Sequence, residues 1–186
     1  DAKADEIKKS GIARVSISLD GATSEVHNHL RQLEGSFESA VEGAKCLRAK
    51  GVPFQVNITL TKHNASQLGE VYEMVKPLGA VALHIFMLVP VGCGQELAET
   101  DMLTPEEYEK KLVEICKLDE MGELQVKVTC GPHYERVLRQ QGLYQERKKG
   151  GGHPGGNVPG KSGHGGPSKG CLAGLGVIFV GHQGDV

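Results

Sequence analysis

Tryptophan is absent from this 186-residue chain, and all aromatic residues together make up 4% of it. So little ring surface argues against a platform on which nucleobases stack. An excess of either charge is also missing: 21 Lys and Arg stand against 23 Asp and Glu, for a net charge of −2. With no basic stripe, nucleic acid is not an expected partner. No apolar run reaches membrane-spanning length and no signal-peptide pattern is present, so the expectation is a cytoplasmic protein without a membrane partner. Cysteines number five, at Cys46, Cys93, Cys116, Cys130 and Cys171, and no two form a C-x-x-C pair. That spacing excludes zinc-ribbon and thioredoxin-type motifs and reads as reduced thiols.

What is present is strand alternation. In A-R-V-S-I-S-L-D-G, Val15, Ile17 and Leu19 fall on one side of a strand, and Ser16, Ser18 and Asp20 on the other. Strand-helix alternation follows, which predicts a parallel sheet. Parallel strands are usually apolar on both faces because helices cover both. A polar face on such a strand fits the interior of a closed or half-closed barrel; from this stretch alone a half-exposed edge strand fits as well.

The design repeats. Ser36 is a candidate cap for a helix carrying Phe37, Ala40, Val41, Ala44 and Leu47 at helical spacing. A second strand over 53–60 alternates Val56, Ile58 and Leu60 with Gln55, Asn57 and Thr59. Asn64 is a candidate cap for the next helix, and a third strand over 81–89 is apolar except for His84. Thr104-Pro105-Glu106-Glu107 is a capping box with proline at the first helical position. A fourth strand over 124–130 alternates Val126, Val128 and Cys130 with Gln125, Lys127 and Thr129, and a short helix is predicted over 133–141. The expected fold class is α/β, a partial (β/α) barrel, with an open doubly wound sheet as the alternative. In either, ligands gather at the carboxyl ends of the strands, where Asp20, Thr61, Pro90 and Cys130 lie.

The organisation predicted is a barrel portion over 1–145, a glycine-rich segment over 146–170 and the start of a further domain over 171–186. The middle segment lacks the apolar residues of a core, and its His153 and His164 read as linker residues rather than metal ligands. Both ends read as cut, so a piece of a longer protein is expected.

These residues resemble a family. V-S-I-S-L-D-G, H-N-H-L-R-Q-L-E-G-S-F, T-L-T-K-H-N and F-M-L-V-P-V-G-C-G are similar to the second half of a radical S-adenosylmethionine enzyme. K-G-C-L-A-G-L-G-V-I-F-V-G-H-Q-G-D-V resembles the start of a SPASM or twitch extension, which holds an auxiliary iron–sulfur cluster. T-C-G-P-H-Y, with that segment, is most like the haem-forming decarboxylases of the sirohaem-derived pathway and their haem d1 relatives.

The resemblance implies S-adenosylmethionine, a catalytic [4Fe-4S] cluster and an auxiliary cluster. It implies cosubstrate contacts from Ser18, Asp20, Arg31, Asn57, Val89 and Pro90, and auxiliary-cluster ligation by Cys130 and Cys171. It further implies a porphyrin substrate, oxidative decarboxylation of its propionates by way of a 5′-deoxyadenosyl radical, and an electron donor such as a ferredoxin or flavodoxin. The family's C-x-x-x-C-x-x-C loop does not occur in the sequence and is expected upstream of Asp1. A peptide-maturing enzyme of SPASM type is the second reading, and a non-catalytic partial-barrel binding domain the third.

Overall fold

The computed structural model describes residues 2–144. Its elements run in the order α1 (Ala2–Lys9), β1 (Val15–Ser18), α2 (Ser24–Arg31), α3 (Ser36–Ala49), β2 (Phe54–Leu60), α4 (Leu68–Leu78), β3 (Ala82–Met87), α5 (Ala98–Asp101), α6 (Pro105–Met121), β4 (Gln125–Thr129) and α7 (Tyr134–Gln140). Single 3₁₀ turns precede α4 and α5.

The strands form one four-stranded sheet in the order β1-β2-β3-β4, every pairing parallel. This is the arrangement of a partial (β/α) barrel, as the alternation predicts. Register follows from the two-residue period, since a slip of one position would turn every apolar side chain out of the core. Val56 pairs with Leu83 and Leu83 with Val126, while Ile58 pairs with Ile85 and Ile85 with Val128.

These residues join Leu47 of α3, Leu68, Val71, Tyr72 and Val75 of α4, and Leu112 and Ile115 of α6 in a single core. Every strand residue of that core comes from the apolar face. The opposite face is polar. Ser16, Ser18, Gln125 and Lys127 are exposed on it, and Gln55, Asn57 and Thr59 are half-buried.

Three local expectations are corrected. Ser36 does not cap α3: Gly35 is the N-cap, in the left-handed region at φ 76, and the Ser36 hydroxyl donates to Asn28 Oδ1 at 2.8 Å. Asn64 makes no cap bond either; its side chain is spent on strand ends, as described below. Cys130 does not continue the alternation of β4, which ends at Thr129; Cys130 turns away at φ 59 and is exposed. The Thr104 capping box forms as predicted, Thr104 Oγ1 accepting from Glu107 N and Glu107 Oε2 from Thr104 N. Cys171, the glycine-rich segment with His153 and His164, and the further domain expected to start over 171–186 lie outside the described residues.

Ile58 is fully buried at the centre of the core. Ile58→Ala removes buried methyl groups and leaves a void, so chemical denaturation should show a loss of about 2–5 kcal/mol. A loss below about 1 kcal/mol would mean that the sheet does not pack as described.

Candidate functional site

Gly21 opens the turn after β1, and the residues behind it explain why a glycine stands there. A Cβ at Gly21 would lie 2.8 Å from Val26 Cγ1 and 2.9 Å from the His27 backbone nitrogen. The first turn of α2 therefore seats directly on the strand end, its N-terminus capped by the Thr23 hydroxyl. That close approach lays the buried face of α2 against Asp20.

Asp20 has no exposed surface. Its Oδ1 accepts from the Thr59 backbone N–H of β2 at 2.7 Å. Its Oδ2 lies 2.5 Å from Arg31 Nη2, at the far end of α2. Its backbone N–H donates to His27 Nδ1 at 2.9 Å, and its carbonyl accepts from Asn64 Nδ2 at 2.8 Å. Asn64 also donates to the Thr59 carbonyl and accepts from the Thr61 N–H, both at 2.8 Å. One aspartate and one asparagine thus knit the carboxyl ends of β1 and β2 to α2 and to the loop before α4.

His27 must keep Nδ1 unprotonated to accept from Asp20. Burial is the main cause holding its pKa below the ordinary value, against the opposing pull of Asp20 and Glu38. His27 and Arg31 stand four residues apart, on one side of α2, so both reach the same strand end. Arg31 remains 38% exposed. A guanidinium carries five N–H donors, and Asp20 takes only one nitrogen of it, so donors remain for a second carboxylate.

On the polar face, Ser18, Asn57, His84 and Lys127 stand in register, one from each strand. His84 Nε2 lies 2.6 Å from Thr129 Oγ1, and Gln55 Nε2 lies 3.4 Å from His84 Nδ1 and 3.0 Å from Asn57 Oδ1. Gln55 Nε2 can only donate, so Nδ1 is the acceptor and the proton sits on Nε2, facing Thr129. Burial first, and then the Lys127 charge, push the His84 pKa down to about 4. Phe86 packs beside the imidazole with ring centroids 4.2 Å apart.

The six positions expected to contact cosubstrate divide accordingly. Ser18, Asp20, Arg31 and Asn57 are gathered at the β1–β2 end of the sheet, with Ser18 paired to Asn57 and Asp20 bound to Arg31. Asp20 is wholly enclosed by protein and bears on any ligand through Arg31. Val89 and Pro90 lie exposed just past the end of β3. Residues that sequence reasoning left aside carry much of the construction: His27, Thr59 and Asn64. The four-residue spacing of His27 and Arg31, seven and eleven positions from the strand-end aspartate, was the available signal.

Among the described residues, no group of three or more His, Cys, Asp or Glu side chains converges as a metal site. Cys116 is buried in α6 with its pKa pushed up to about 11 by that burial, Cys46 is half-buried on α3, and Cys130 is exposed. Nor is any described helix long and apolar enough to cross a membrane.

Residues 1–75 match the family model described as "Radical SAM superfamily". Over 183 residues the chain is 37% identical to the "AdoMet-dependent heme synthase" of Methanosarcina barkeri, covering 98% of this chain and 49% of the relative. It is also 37% identical, over 181 residues, to the protein of the same description from Oleidesulfovibrio alaskensis, covering 97% of this chain and 44% of that one. A "Pre-heme d1 synthase" of Dinoroseobacter shibae is 29% identical over 94 residues, half of this chain and 23% of the relative. The chain spans about half the length of the two heme synthases.

The histidines give the fold a predicted acid sensitivity. A group whose pKa falls on folding binds its proton more readily in the unfolded chain, so stability rises with pH across the interval between the two values. For His84 that interval runs from the ordinary 6.5 down to about 4. Stability should be full above pH 6.5, decline towards pH 4, and gain no further loss from this group below that. Thermal melts across this range should show His84→Gln with a shallower decline than wild type; an unchanged slope would remove His84 as a source.

Proposed function

We propose a function that proceeds from one premise: residues 1–75 belong to the radical SAM superfamily. The whole protein carrying this chain is an S-adenosylmethionine-dependent enzyme of haem biosynthesis, converting iron-coproporphyrin III to haem by oxidative decarboxylation of two propionates. Support comes from relatives described as AdoMet-dependent heme synthases that align with 97–98% of the chain. It comes also from a polar sheet face flanked by an arginine with donors to spare.

Bound S-adenosylmethionine would supply the chemistry of hydrogen-atom abstraction. The described residues fit the cosubstrate and do not fit the cluster. The open guanidinium of Arg31 suits its carboxylate, and the exposed hydroxyl of Ser18 and the amide of Asn57 suit its ammonium and ribose hydroxyls. Asp20 fixes Arg31 from behind, so the guanidinium need not be ordered anew when a carboxylate arrives. Val89 and Pro90 offer apolar and backbone contact to the adenine.

No cluster ligand set exists among the described residues. Cys130, exposed at the end of β4, is in this reading one auxiliary-cluster ligand, with Cys171 as another. The protein's own contribution is to bind, orient and shield the reactants from water. An electron-donor protein such as a ferredoxin or flavodoxin completes the proposed cycle.

Arg31→Ala should weaken S-adenosylmethionine binding to the parent protein by about 1.5–3 kcal/mol. Arg31→Lys keeps the charge that answers buried Asp20 and should lose less, which separates ligand loss from unfolding. Unchanged affinity in calorimetric titration of a folded Arg31→Ala protein would remove Arg31 from the site. Mass spectrometry of the products from iron-coproporphyrin III under anaerobic, reducing conditions tests the reaction: loss of the mass of two carbon dioxides and four hydrogens is expected. Cleavage of the cosubstrate with the porphyrin untouched would favour another substrate, such as a peptide.

A further inference from the structure

Within the strands, the polar face of the sheet carries one cation and no carboxylate. Its strand residues are Ser16 and Ser18, Gln55, Asn57 and Thr59, Ala82, His84 and Phe86, and Gln125, Lys127 and Thr129. Arg14, just before β1, joins them at the opposite end of the sheet, its guanidinium 3.4 Å from Gln55 Oε1. Lys127 is exposed, stands in register with His84, and has no ion-pair partner among the described residues.

Position decides what Lys127 can serve. Ser18, on β1, and Lys127, on β4, are separated by three strand spacings in one register row. At about 4.8 Å per spacing they stand about 14 Å apart along the sheet. A carboxylate held at Arg31, past the end of β1, is beyond the reach of the Lys127 ammonium, so a cation here answers a different anion. S-Adenosylmethionine has one carboxylate, and the proposed function spends it on Arg31. Beside Lys127, the Thr129 hydroxyl and the carboxamide of Gln125 share its face and can complete the coordination of a carboxylate. Neutral His84, engaged with Thr129 and Gln55, keeps a second positive charge from the same spot at neutral pH.

We infer that Lys127 anchors a carboxylate of the second reactant, a polycarboxylate bound across the β3–β4 half of the polar face while the cosubstrate occupies the β1–β2 half. This rests on the proposed function for the identity of that reactant, a porphyrin bearing propionates.

The test compares the parent protein with its Lys127→Gln and Lys127→Arg variants. Each is titrated with iron-coproporphyrin III, with the tetramethyl ester of that porphyrin, and with S-adenosylmethionine. Lys127→Gln should bind the tetra-acid about tenfold more weakly, bind the ester as wild type does, and keep its cosubstrate affinity, while Lys127→Arg restores most of the loss. Equal weakening towards acid and ester, or no weakening at all, overturns the anchor. If wild type binds cosubstrate but neither porphyrin, the porphyrin reading has failed. Lys127 is then judged by titration with benzene hexacarboxylate: the order wild type, Arg, Gln in affinity supports the anchor, and equal affinities overturn it.

Discussion

A carboxylate with no solvent exposure is expensive unless its charge is answered and its lone pairs are filled. Asp20 has its charge answered by Arg31 from the end of α2 and one carboxylate oxygen bonded to the Thr59 amide of β2, while its backbone is tied to His27 and Asn64. Each partner is held in turn. The close seat of α2 at Gly21 sets His27 and Arg31, and the parallel register sets Thr59. A ligand site built on Arg31 inherits this rigidity, because the guanidinium cannot swing away without stripping a buried charge of its counter-ion.

The second constraint is the unequal dress of the two sheet faces. Crossover helices α3, α4 and α6 share one core with the apolar residues of the strands. The other face holds serine, threonine, amide and imidazole groups, of which Gln55, Asn57, His84 and Thr129 are bonded to one another in a chain. Such a face has no reason to persist in an open parallel sheet, where a second helical layer would press on it. It suits the concave side of a curved sheet, as in a partial barrel.

Period-two alternation made this legible from sequence. Val15-Ser16-Ile17-Ser18 and Phe54 to Leu60 announce both the strands and their polar side, since an apolar residue displaced by one position would face the wrong layer. The strand-end knot was legible only in its parts. Asp20 and Arg31 stood out as ligand candidates, but their attachment to each other is a tertiary fact across eleven positions, and that of Asp20 to Asn64 spans forty-four. Asn64 and Ser36 misled for a related reason: a short polar side chain before a helix is a good cap, and also a good tie to another element's polar group within reach, a strand end for Asn64 and Asn28 of α2 for Ser36. Cys130 misled because alternation does not announce where a strand stops, and a non-glycine residue at φ 59 has no sequence signature.

The charges on the polar side fall into two chemically different kinds, and this bears on how two reactants are kept apart. Arg31 is half of an ion pair whose other half is buried, so its field is partly cancelled and it acts by geometry, as a fork already aimed. Lys127 and Arg14 have no carboxylate opposite them on the face and contribute net positive potential. S-Adenosylmethionine bears a sulfonium and an ammonium alongside its carboxylate, and net positive potential repels it. The same potential attracts a polyanion. Under the proposed function, a neutralised arginine at β1 and an open lysine at β4 would sort a net cation from a polyacid before any contact is made. Neutral His84 between them lets the two halves differ without adding a charge that either reactant would have to meet.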